Sequence, residues 1–306
     1  MFKAAQPNTL SINLDDFPGG VAAWGALPAV FDSYAHGFDR GVHLHARLTD
    51  PGKKQIDQSF AEVEICWKNR RLLLTEESAV HYTLSSIFNF PILSMDCCHC
   101  GHELLDIGLA AVMPSFDHYC GFCGQVTLSE LRCTANPIMR FKRYLGDEQI
   151  KRPVIIPARK ISLDAERYPG GFQIWGSNPS ILWTATRQEE SAIHVHAYDS
   201  QGKRVVDNTY GEVRVMGRLL DIEMVRVLQI QQALPSLQDY LNSYHCPYCD
   251  HPHFDQALLA VIPHQKHACE QCHRVFITPR AVSNPALALL KQLASATEEI
   301  NDESCS

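Results

Sequence analysis

From His43 to Leu48, and again from Ile56 to Ile65, apolar and polar residues alternate with the two-residue period of a strand that buries one face. Asp50-Pro51-Gly52-Lys53 lies between them and is turn chemistry, so the pattern predicts a hairpin. The same grammar returns at Ile193–Tyr198, Asp199–Lys203 and Val205–Val215. Short opening strands are expected at Leu10-Ser11-Ile12 and Ile161-Ser162-Leu163, each followed by a Pro-Gly-Gly turn, and a further strand at Arg71–Leu74 or Gly217–Leu220. Helices should then begin behind Thr75 and Asp221, whose side chains suit the N-cap. Asn136-Pro137 and Asn284-Pro285 each place a cap residue before proline, starting final helices that run to about Leu145 and Ala296. The residues after Glu298 read as a frayed polar tail.

These two passes are one pattern written twice. Phe17-Pro18-Gly19-Gly20, Trp24-Gly25 and Pro28 return 151 residues later as Tyr168-Pro169-Gly170-Gly171, Trp175-Gly176 and Pro179. His43-Leu44-His45-Ala46 returns at the same offset as His194-Val195-His196-Ala197. Gly52-Lys53 to Glu62-Val63 matches Gly202-Lys203 to Glu212-Val213 at an offset of 150, and the cysteine segments match at 149. The expected fold class is α+β: a tandem duplication of a β-rich module, each copy ending in a helix-flanked zinc ribbon. Residues 1–149 form repeat 1 with its ribbon at 97–123, and residues 150–306 form repeat 2 with its ribbon at 246–272. The connector is Gly146–Arg159.

The ribbons follow from the cysteines. Eight of twelve fall into four Cys-x-x-Cys pairs: Cys97/Cys100, Cys120/Cys123, Cys246/Cys249 and Cys269/Cys272. Nineteen residues separate the two pairs of each copy, which lets four thiolates close a tetrahedron around one Zn²⁺. This spacing resembles the zinc-ribbon class, over about thirty residues per copy, and implies two structural zinc ions. A thioredoxin-like redox pair needs a single Cys-x-x-Cys in a βαβ setting, and iron is the other metal such thiolates take. Cys66, Cys98, Cys133 and Cys305 stand alone.

Three further groups carry candidate chemistry. His253, Asp255, His264 and His267 form an imidazole–carboxylate set in repeat 2, where repeat 1 has Leu104, Asp106, Ser115 and His118. They either bind a further metal or an anion, or support the zinc knuckles by hydrogen bonds. His43/His45 and His194/His196 are pairs two apart on a strand, hence on one face, with Asp57/Asp207 and Glu62/Glu212 as possible co-ligands. Arg132, Arg140, Lys142 and Arg143 are a solvated basic face or a phosphate contact. Trp24 and Trp175 are expected core anchors, and Leu258–Ile262 a ribbon strand. His102-Glu103-Leu104-Leu105-Asp106 mimics a zincin motif but lacks its second histidine.

Composition narrows the function. With 45% hydrophobic and 20% charged residues the chain has globular make-up, and no run of about eighteen apolar residues suggests a membrane span. The start lacks a secretory leader, so a reducing, cytoplasmic setting is expected. A formal net charge of −7 argues against a general polyanion binder. No Gly-x-Ser-x-Gly elbow, phosphate loop or dinucleotide fingerprint occurs. The favoured reading is a zinc-binding scaffold or recognition protein in a larger protein, or protein–nucleic acid, assembly. The alternative is a metal-dependent hydrolase or nuclease that uses the histidine cluster of repeat 2.

Overall fold

Proline and paired glycines set the first corner of each module. In the computed structural model, Gly19 and Gly170 press against the end of the neighbouring strand, where a Cβ would lie 2.2 Å from the Thr49 carbonyl oxygen and 2.1 Å from that of Asp199. Their amides donate to Arg47 O and Tyr198 O at 3.0 and 3.2 Å, so only glycine closes the turn this tightly. The structure describes residues 9–26, 30–32, 40–49, 52–146, 154–178, 180–182, 189–190, 192–215, 217–234, 240–241, 244–251 and 253–284. The expected final helix after Pro285 and the polar tail lie outside these residues.

The architecture is strand-rich α+β, and the chain forms two compact units. In the first, Gly20–Gly25, Val42–Arg47 and Lys54–Phe60 make an antiparallel sheet. Leu10–Asn13 runs parallel to Glu62–Trp67, which pairs antiparallel with Arg70–Thr75. The helix Glu76–Ile87 follows, with Thr75 Oγ1 accepting from the Ser78 amide as the cap expectation required. The ribbon strands Ser115–Tyr119 and Val126–Ala135 come next, then the helix Ile138–Leu145, whose first amide donates to Asn136 Oδ1.

The second unit shows the same order. Phe172–Gly176, Ile193–Tyr198 and Arg204–Tyr210 form one antiparallel sheet; Lys160–Leu163, Glu212–Val215 and Arg218–Leu220 form the other, with the same parallel-then-antiparallel pairing. Helix Ile222–Ala233 is capped by Asp221 Oδ1, and the ribbon strands are His264–Ala268 and Val275–Val282. Among the described residues no helix is long and apolar enough to cross a membrane.

Three expectations are corrected. Ile56–Ile65 and Val205–Val215 are each two strands, because Ala61 and Gly211 are corners at which the chain leaves one sheet for the other. The buried positions change parity there, from Phe60 to Val63 and Ile65. Leu258–Ile262 is no strand: Ala257–Ala260 is a short 3₁₀ turn with Val261 as its C-cap, and the strand starts at His264. Trp24 and Trp175 are only partly buried and lie beside the paired histidines.

The main division between the units falls after Ile155, and each unit also takes a short segment from the other half of the chain. In the second unit, Val30–Asp32 adds an edge strand to Phe172–Gly176. In the first, the Ile181 amide donates to Ala23 O at 2.8 Å, and Ile181 and Leu182 are 0% and 1% exposed among Val21, Leu44, Ile65 and Tyr82. Ile181→Ala should therefore destabilise the first unit by about 2–5 kcal/mol. Amide exchange in Val42–Arg47 reads this out, and unchanged protection there would deny the segment its place in that core.

Candidate metal centres

Each Cys-x-x-Cys pair sits on a tight turn that turns both sulfurs inward. The Cys97 amide donates to His102 O and the Gly101 amide to Cys97 O; Cys120/Gln125/Gly124, Cys246/His251/Asp250 and Cys269/Arg274/His273 repeat the arrangement. The residue after the second cysteine is left-handed in all four turns: Gly101 and Gly124 in the first unit, Asp250 and His273 in the second. Asp and His are among the side chains that tolerate this region, which is why the turn survives without glycine.

The sulfurs then converge. Cys97 and Cys123 Sγ are 3.6 Å apart, Cys100 and Cys120 3.7 Å; Cys246–Cys272 and Cys249–Cys269 repeat these values. All eight are free thiols. A tetrahedral ion with metal–sulfur bonds near 2.3 Å separates its sulfurs by about 3.8 Å. Both groups thus have the geometry to hold one metal ion, and the donor set suits Zn²⁺.

Ionisation points the same way. Burial raises the Cys97 thiol, but the amides of His99 and Cys100, with Thr127 and Cys123, pull it down to about 6. Against the His102 amide, burial and the sulfurs of Cys123, Cys97 and Cys120 push Cys100 up to about 12. Cys246 at about 7 and Cys249 at about 12 repeat the split. Four crowded sulfurs cannot all carry charge until a cation joins them.

Behind each ribbon lies a buried carboxylate. Asp106 Oδ2 accepts from the Ala135 amide at 2.7 Å and meets His118 Nδ1 at 2.8 Å. Asp255 does the same for the Asn284 amide and His267. The second unit adds His253 Nε2 at 2.8 Å and His264 Nε2 at 3.2 Å, so three imidazoles surround Asp255 Oδ1. The four residues singled out in the sequence are therefore together, with Glu270, which the sequence reading missed, 3.3 Å from His253 Nδ1. Burial lowers His253, but Asp255 and Glu270 outweigh it and raise the imidazole to about 9.

The His-x-His pairs also converge on an aspartate. Strand register places Asp57 opposite His45 and Ser59 opposite His43; Asp207 and Thr209 face His196 and His194 in the same way. His43 and His45 Nε2 are 2.9 Å apart, with Asp57 Oδ1 at 3.4 and 3.0 Å. His194 and His196 Nε2 are 3.0 Å apart, with Asp207 Oδ1 at 3.4 Å from each. Lys54 and Arg204 hold the other carboxylate oxygen at 2.5 and 3.1 Å. Burial, above all, pulls His45 down to about 4 and lowers His196. Asp57 stays well below the carboxylate range because bonds from His43, His45 and Lys54 outweigh burial; His194 and His196 do this for Asp207.

Other sequence candidates disperse. Glu62 accepts from Thr9, and Glu212 pairs with Lys160 and Arg214, so neither reaches the histidines. Arg140 is bound by Asp96 and Glu103, and Lys142 is buried against the Tyr82 hydroxyl, so both cations are engaged within the chain. His102 stacks on Phe122 at 3.6 Å, away from Asp106's partner His118, and no helix carries the zincin-like run.

Two outcomes follow. Cys120→Ser and Cys269→Ser should each remove one metal equivalent per chain, measured by elemental analysis, and expose their own ribbon to protease; full metal content in both would deny the thiolates their role. His253 should titrate near pH 9 by NMR, well above the ordinary 6.5. Its folded value is raised, so its stabilising contribution is complete below about pH 6.5 and lost as pH rises through about 9. Glu270→Gln should lower the midpoint, and a midpoint below 6.5 in the wild type would contradict the buried ion pair.

Comparison with known proteins leaves the chain to its own residues: no protein-family model, no curated protein and no solved structure matches it.

Proposed function

We propose that the chain is a duplicated, zinc-stapled recognition protein that docks onto a protein partner within a larger assembly in a reducing compartment such as the cytoplasm. The duplication is supported by the ordered sequence matches and by two units with the same strand pairings. Zn²⁺ is the ion proposed for both four-thiolate sites. Four thiolates fill its tetrahedron and leave no position for a reacting water, which suits a structural role.

One observation carries the recognition reading. The outward face of each ribbon exposes apolar side chains at equivalent positions: Val126 and Leu128 in the first, Val275 and Ile277 in the second. Leu128 is 73% and Ile277 75% exposed, and Tyr119, opposite Val126, adds to the first face. Alternating residues on a strand share a face, so each ribbon strand presents a pair of exposed apolar side chains, bordered on the partner strand by Tyr119 and Asp117 in the first and by Ala268 and Lys266 in the second. The net charge of −7 and the ion pairing of Arg140 favour a protein over a nucleic acid. A hydrolase centred on repeat 2 is the weaker reading, because His253, Asp255 and His267 are 2%, 6% and 1% exposed and leave no room for a substrate beside them.

Cross-linking in the source cells compares the wild type with a Leu128→Ser, Ile277→Ser double variant. The variant should keep two zinc ions and its melting temperature yet lose a stoichiometric protein partner. Retention of that partner, or recovery of nucleic acid in its place, would contradict the reading.

A further inference from the structure

The two histidine–aspartate trios on the antiparallel sheets remain outside the zinc-ribbon function. We propose that each is a second kind of metal site, in which His43, His45 and Asp57, and equivalently His194, His196 and Asp207, bind one divalent first-row transition ion on a face open to an oxygen ligand.

Distance is the first argument. Adjacent ligands of an octahedral ion with bonds near 2.1 Å lie about 3.0 Å apart, and two histidines with one carboxylate on one face leave the opposite positions open. The donor–donor separations are 2.9, 3.0 and 3.4 Å in the first trio and 3.0, 3.4 and 3.4 Å in the second. Three donors at these mutual distances fit one triangular face of such an ion.

Hydrogen bonding alone serves this triangle poorly. His43 Nδ1 lies 3.1 Å from Ser59 Oγ, and His194 Nδ1 lies 3.2 Å from Thr209 Oγ1. If those nitrogens carry the ring proton, as in histidines oriented for metal, Nε2 of each is a bare lone pair aimed at its neighbour. One proton on the second imidazole would then have to serve both a nitrogen and a carboxylate oxygen. A metal satisfies all three donors at once.

The surroundings complete the case. Trp24 and Trp175 pack edge-on against His45 and His196 at 5.0 and 4.7 Å, fixing the rings from one side. The side chains stay partly solvent-exposed, at 26, 18 and 29% in the first trio and 32, 13 and 40% in the second, which leaves a path for an ion and a water. Lys54 and Arg204 orient each aspartate through its second oxygen. They also lie 3.4 and 3.3 Å from His45 and His196 Nε2, so they must withdraw from the nitrogen as the ion enters while keeping the carboxylate. Their charge beside the open face favours a small oxyanion, such as a carboxylate or phosphate, as the remaining ligand. Both trios keep every element, with Thr209 for Ser59 and Arg204 for Lys54.

The test uses the full chain with both thiolate sites filled by zinc, titrated with Co²⁺ by calorimetry and visible absorption. The wild type should take two further equivalents with weak d–d bands and no sulfur-to-cobalt charge transfer. His45→Ala and His196→Ala should each lose one equivalent, and the double variant both, with two zincs retained. Where a histidine variant fails to fold, Asp57→Asn and Asp207→Asn replace it, and paramagnetic shifts of the His43 and His45 ring protons in the wild type give a reading that needs no variant. No cobalt beyond the thiolate sites, or uptake unchanged in folded variants, would overturn the proposal.

Discussion

Like charges crowded together repel, and four thiolates within 4.8 Å of one another are unstable unless a dication lies among them. That constraint shapes both ribbons. Their own apolar cores are small: Cys97, Leu104, Cys120 and Ala135 in the first, Cys246, Cys269 and Phe276 in the second. So little buried surface does not hold a two-strand hairpin in place. The sulfurs are themselves the core, and a bound ion converts their mutual repulsion into the strongest contact of the segment, on the order of 10–16 kcal/mol in small zinc peptides.

The ribbon is also tied to the module before it. Asp106 and Asp255 reach from the knuckle region to the amides of Ala135 and Asn284, where the last ribbon strand ends. In the first unit the next residue, Asn136, caps the helix Ile138–Leu145 through Oδ1 and donates through Nδ2 to Ser78 O in helix Glu76–Ile87. The hairpin that carries the thiols thus positions the helix that covers the sheet core at Ile138 and Phe141. His118 and His267 orient these carboxylates. In the second unit His253 and His264 join His267 around Asp255, a three-histidine cluster where the first unit has the single pair of His118 and Asp106.

Much of this was legible in the sequence, for definite reasons. Cysteine spacing is a covalent property of the chain and carries straight into the tetrahedra. Caps at Thr75 and Asp221 are local, so they needed no knowledge of the fold. The corner at Ala61 and Gly211 was hidden because alternation reports which side is buried, not which sheet a strand joins; the parity change at Phe60–Val63 held the clue. Burial of Ile181 and Leu182 beside Ala23 depends on a contact about 160 residues distant in sequence, which no periodicity encodes. Arg140 read as a basic face because Asp96 and Glu103 reach it only after the ribbon folds back. The His-x-His motif named two of the three members of each trio, and only strand register chose Asp57 over Glu62.

X-ray absorption at the zinc edge, on protein loaded with two equivalents of zinc, tests the central claim most directly. Each ion should show four sulfur neighbours near 2.3 Å and no light-atom shell. A first shell containing nitrogen or oxygen, or fewer than four sulfurs, would contradict a fold organised around closed four-thiolate centres.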